Sequence, residues 1–163
     1  MLKQFLALAT LALALATPAF AQNASHIAKA QKGQSCSGCN LFQADMAYRD
    51  VSGADFAKAR LRQSNLSLAT LDNVNLSNSD LSIANLFGAR LNSCDLTGAD
   101  LGKAAAVGTY FGSSTLKSAD LSQANFSGAD LSLTIGLTQA QLNKACGDAA
   151  TRLPQGLRIP RCA

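Results

Sequence analysis

The chain has 163 residues, 48% hydrophobic and 15% charged, with 14 basic and 10 acidic side chains and a formal net charge of +4. That is the size of one small domain. The mild positive balance argues against a replica of nucleic-acid charge, which needs a strongly acidic surface; one histidine and no glutamate leave little from which to build a metal cluster or a paired-acid site.

Residues 1–21 have the organisation of a secretory signal peptide: Lys3, an apolar stretch from Phe5 to Ala16, and a small-x-small site at Ala19-Phe20-Ala21. The apolar run is too short for a good membrane span. The expected mature chain begins at Gln22, has no membrane span, and loses Lys3, so its net charge falls from +4 to +3. A periplasmic or secreted location follows from this reading. Asn23 to Gly33 then predicts a short helix, with Ser25 as cap, Ile27, Ala28 and Ala30 as the apolar side and Gly33 as the stop. His26 lies there without a ligand cluster, and is expected to be a surface or capping residue.

Cys36-Ser37-Gly38-Cys39 is the one motif with chemistry to offer. In an exported protein these thiols are expected to be oxidised, and a structural pair is the plainer reading. Thiol–disulfide redox work is the alternative; it calls for a βαβ context with the first cysteine at a helix N-terminus, which the surrounding residues do not suggest.

From Leu41 to Leu131 every fifth residue is apolar, nineteen positions in all. Chance would produce that roughly one time in a million at this composition, and neither a helix period of ~3.6 nor a strand period of 2 accounts for it. Two residues before each of these positions stands a small residue. Sixteen of the nineteen are Ala, Ser or Cys, the exceptions being Arg49, Val74 and Thr109. A large and a small column locked in step point to a solenoid whose backbone walls converge on a narrow interior.

The units Cys39-Asn40-Leu41, Ala99-Asp100-Leu101, Ala119-Asp120-Leu121 and Ala129-Asp130-Leu131 resemble the A(D/N)LXX motif of the pentapeptide-repeat family. The resemblance implies an all-β, right-handed quadrilateral β-helix with four pentapeptides per square coil; nineteen such units make a rod ~23 Å long, and the helix signals on either side of it are expected to cap both ends. The expected divisions are a cap over 22–40, the β-helix over 41–135, and a capping helix with its tail over 136–163. Looser packing is expected at Arg49 and around Ala106, where Phe126 one coil later is placed to fill the gap.

After the repeats, Thr138 and Gln141 form a capping box, Leu137 and Leu142 a hydrophobic staple, and Gly147 a helix stop. Cys146 and Cys162 are expected to form a disulfide that brackets the tail, and Cys94 to be a buried free thiol. With four units per coil, residues twenty apart stack. One outward side then carries Tyr48, Leu68, Phe87 and Val107, a candidate interaction face for a protein partner or another copy. Another stacks Asp80, Asp100 and Asp120 beside Arg62 and Lys103, a solvated column rather than a cation site.

No Ser/His/Asp set, phosphate loop or acid pair is evident, so no catalytic, cofactor or metal residues are expected. The basic residues are dispersed without aromatic interleaving, which speaks against nucleic-acid binding. The function these features suggest is a non-enzymatic structural or protein-interaction solenoid of the periplasm or cell envelope. Topoisomerase inhibition by DNA mimicry, which some members of the resembling family perform, is set against the positive charge.

Overall fold

The computed structural model describes residues 22–163, so the signal-peptide reading of 1–21 lies outside the described residues. Each pentapeptide folds first on itself. The carbonyl of the large residue accepts a hydrogen bond from the N–H three residues on, as in Leu41 with Ala44 at 3.0 Å and Leu76 with Ser79 at 3.1 Å. The residue before that donor takes a positive φ, for example Gln43 at 54°, Asn73 at 58° and Gly98 at 66°, as a type II turn demands. The flat segments between turns pair in parallel with residues twenty apart: Asn40 with Arg60, Asp80 with Asp100, Thr115 with Ile135. Four units therefore close one coil.

All nineteen large positions are buried, and so are the small ones except Arg49. Arg49 is exposed: no repeat unit lies twenty residues before it, and its side chain leaves the interior while its backbone still bonds Met46 and Thr70. Ala106 is fully buried beside an edge-to-face pair, Phe111 and Phe126, with ring centroids 5.9 Å apart.

The β-helix starts one unit earlier than the 40/41 boundary expected from the apolar run. Cys36 occupies a large inward position, Gly38 the left-handed turn position at φ 67°, and Cys39 the small one. Cys36 N–H donates to Asp55 at 2.7 Å and Cys39 N–H to Cys36 at 3.2 Å, the repeat pattern. A disulfide joins the two, and its sulfurs stand where an apolar side chain would otherwise fill the first coil.

Both ends of the ladder are closed by groups that imitate a missing coil. Helix α1, Ala24–Ala30, is capped by Asn23 rather than Ser25; the Asn23 side chain accepts from His26 N–H at 3.1 Å. His26 Nδ1 accepts the Asn40 N–H at 3.0 Å, and Ser35 Oγ the Asp55 N–H at 2.9 Å. At the other end α2 is a single turn, Gln139–Leu142, with the capping box present. Gln141 Nε2 donates to the carbonyls of Leu116 and Ala119 at 2.8 and 2.9 Å. Gly147 is not the helix stop expected. The chain leaves the helix at Asn143 so that Cys146 can pair with Asn125, and Gly147 is buried where a Cβ would lie 2.7 Å from Thr151 Oγ1.

Two local consequences are testable. Ile83 is β-branched yet holds φ 60°, a conformation costly for any branched residue. Ile83→Gly is expected to raise unfolding stability by about 1 kcal/mol in urea titrations. The second concerns two serines at small inward positions. Ser114 Oγ donates to Leu91 O and accepts Cys94 N–H at 2.8 Å, completing a turn that elsewhere closes directly. Ser64 Oγ is buried with no partner. Ser114→Ala should therefore cost about 2 kcal/mol, while Ser64→Ala should gain about 1 kcal/mol. Equal effects of one sign would contradict this hydrogen bonding.

Candidate functional site

With coils stacked every twenty residues, each side of the rod shows two outward turn residues per coil, with a third outward residue just before each large position. The side backed by Met46, Leu66, Leu86, Ala106 and Phe126 shows residues 47–48, 67–68, 87–88, 107–108 and 127–128, and none of these ten is charged. The other three sides carry Arg62 and Lys103, Asp72, and Lys58 with Lys117. On the charge-free side Tyr48 is 77% exposed, Phe87 52% and Leu68 45%, with Val107 half-buried. All four residues singled out in the sequence thus lie on one side. Tyr48 and Leu68 project from left-handed turn positions, at φ 60° and 57°. Leu68 leans over the next coil, where a Cβ at Gly88 would lie 2.7 Å from its Cδ2.

Other exposed apolar residues are scattered. Ile83 lies one side round, Leu133 and Ile135 in the last coil, and the Tyr110 ring lies against Gly112. What the sequence reading passed over is the glycine run Gly88, Gly108 and Gly128 beside the apolar group. The signal was present, because those glycines are twenty residues apart.

The aspartate column is occupied by its own turns. Asp80 accepts from Ser82 N and Oγ, Asp100 from Gly102 N at 2.8 Å, and Asp120 from Ser122 N and Oγ. The Ser122 hydroxyl, then its N–H, hold the Asp120 carboxyl below the usual carboxylate range. Among the described residues no group of three His, Cys, Asp or Glu is placed to hold a metal ion.

Cys36 and Cys39 are buried and bonded in a turn of the first coil, away from a helix N-terminus. Cys146 and Cys162 are also bonded. Cys94, the free cysteine among the described residues, is buried, and that burial pushes its thiol up to about 12. A thiol so held is a packing group rather than a nucleophile.

A coil of four pentapeptides with paired large and small inward columns defines a quadrilateral β-helix. The family model for pentapeptide repeats matches in eight copies over residues 35–72, 50–88, 64–102, 84–116 and 94–132, which span more than half of the chain. The protein belongs to the pentapeptide repeat family, whose members are generally non-enzymatic structural solenoids with this right-handed fold. Among solved structures, alr5209 from Nostoc Pcc 7120 is 24% identical, with a TM-score of 0.48 over 81% of this chain and 95% of that one. AT2G44920, from the thylakoid lumen of Arabidopsis thaliana, is 26% identical, with a TM-score of 0.36 over 69% and 74%. A trypsin-treated variant of QnrB1, a plasmid-mediated fluoroquinolone resistance protein, is 16% identical, with a TM-score of 0.43 over 78% and 82%. No curated protein matches the chain. Repeat proteins often mediate protein contacts, and among the described residues no helix is long and apolar enough to cross a membrane.

Proposed function

We propose that this is an exported, non-enzymatic solenoid of the periplasm or cell envelope that works by protein contact through its charge-free side. The observation that carries this is the grouping of Tyr48, Leu68 and Phe87, all exposed, on the one side whose turn residues in the five repeat coils carry no charge. Clustered apolar residues mark contact surfaces. Export is supported by the signal-like leader and by two disulfides, which persist in oxidising compartments.

Redox work through Cys36 and Cys39 is disfavoured, since both sulfurs are buried in the core of the first coil. DNA mimicry is disfavoured by charge. Residues 22–135 hold nine basic and nine acidic side chains, so the rod presents no acidic excess to replace phosphate.

The test is crosslinking in intact cells after fractionation, comparing the parent with a Leu68→Ser/Phe87→Ser variant. Captured protein that disappears with the variant supports the reading. Capture that is unchanged rejects this side as the contact surface.

A further inference from the structure

The charge-free side is complementary to itself. Down the rod its left-handed turn positions are Tyr48, Leu68, Gly88, Gly108 and Gly128, two large side chains followed by three glycines. The positions beside them are Ala47, Ser67, Phe87, Val107 and Ser127. We infer that this side docks a second copy of the chain, face to face and antiparallel, about a two-fold axis at the level of Phe87 and Gly88. This rests on the reading of the side as a contact surface and names its occupant.

The register follows from the coil spacing. Tyr48 lies two coils, ~10 Å, to one side of that axis, and Gly128 the same distance to the other. A two-fold rotation therefore sets Tyr48 of each copy over Gly128 of the other, and Leu68 over Gly108, as an isologous interface requires. The glycines offer the necessary room. A Cβ at Gly108 would meet nothing within 4 Å, and one at Gly128 only the Gly108 backbone, at 3.9 Å. Phe87 falls on the axis and meets its own copy, a favourable place for an aromatic pair.

Charges border the face: Arg49 is exposed beside Tyr48, and Asp148 accepts the Gly128 N–H at 2.9 Å, next to the place assigned to Tyr48 of the second copy. Along one edge Asp45 comes level with Asn125, and Asn65 with Ala105. Along the other, Arg90 is drawn round to Asp72 on the next side, with 2.6 Å between Nη2 and Oδ2. Asp50 comes level with Asp130, whose charge is met by Arg152 at 3.3 Å. Area sets the strength. A face ~24 Å long and ~10 Å wide buries a few hundred Å² per copy, well under the ~800 Å² per partner of a standard interface. The contact is accordingly of the small, transient class.

Sedimentation of the purified, disulfide-bonded chain across micromolar concentrations should show monomer passing to dimer. Gly108→Lys should weaken the dimer at least ~10-fold by placing a long side chain where Leu68 of the second copy would lie. The fold accepts lysine there, since Lys58 and Lys103 hold the equivalent turn position at φ 57° and 58°. Tyr48→Ser, at an exposed site, should weaken it too. Under mild oxidation Phe87→Cys should crosslink to itself, because it lies on the axis, and Ser113→Cys on the neighbouring side should not. A chain that stays monomeric throughout, or Phe87→Cys crosslinking no faster than Ser113→Cys, overturns the inference. If the chain is monomeric but Gly108→Lys abolishes capture of a different protein in cells, self-association fails and the contact reading stands. If that capture is also unchanged, both fail.

Discussion

Phe126→Ala is expected to cost about 3–5 kcal/mol, the range for truncating a buried aromatic. The reason lies in its neighbours. One coil earlier the same side holds Ala106, whose methyl leaves most of a large residue's space to be filled from elsewhere. Phe126 and Phe111 fill it, both fully buried and set edge to face at 62°. Removing one ring leaves two successive coils without a large side chain on that side. The walls cannot close on the void, because the ladder keeps them in place. Phe126 N–H bonds Cys146 O at 2.8 Å and Asn125 N–H bonds Ala104 O at 3.0 Å. Loss of the ring pair adds ~0.5–1.5 kcal/mol to the area term. Guanidinium unfolding with an unchanged slope should report the loss as a shift in midpoint. A cost below ~1 kcal/mol would mean that the rings do not share the space left at Ala106.

Legibility varied along the chain for physical reasons. Inward and outward positions were readable because a two-column repeat has one solution, a tube with large and small residues facing its axis. A period of five does not state how many sides the tube has. The number four came from the family resemblance, and the twenty-residue pairing bears it out. The first unit was hidden because Cys36 stands where Leu or Phe stands elsewhere, and a cystine leaves no trace of its pairing in a periodic pattern. The cap of α2 was readable, since a capping box is local chemistry. Its end was not, because pairing of Cys146 with Asn125 draws the chain into the next coil before the helix reaches Gly147. Ser64 and Ser114 occupy equivalent positions in the repeat, and only the folded structure separates the hydroxyl with two partners from the one with none. The four residues of the contact side were legible once coils were stacked. Their glycine counterparts were overlooked because glycine in a turn reads as backbone chemistry rather than as a recess.

The second large effect concerns the disulfide between Cys146 and Cys162. The double substitution Cys146→Ser/Cys162→Ser is expected to cost about 3 kcal/mol, from the chain entropy released by opening a loop with a sequence separation of 16. Opening the Cys36–Cys39 pair, three residues apart, should cost about 2 kcal/mol on the same reasoning. The two losses should also differ in place. The C-terminal bridge holds a tail that serves as the next partial coil. Arg152 pairs with Asp130, Gly147 with Arg161, and Leu153 and Ile159 pack on the core. Without the bridge this tail is the part expected to open first. Phe126 and Leu131 N–H groups, which donate to Cys146 and Arg152, would then lose their acceptors, while Leu61 and Leu81 in the middle coils keep theirs. Hydrogen exchange should therefore accelerate at Phe126 and Leu131 well before any change in mid-rod protection, since local opening needs less free energy than global unfolding. Uniform acceleration along the rod would show that the ends do not open separately. An unchanged midpoint together with unchanged exchange at Phe126 would show that the ladder alone keeps the tail in place.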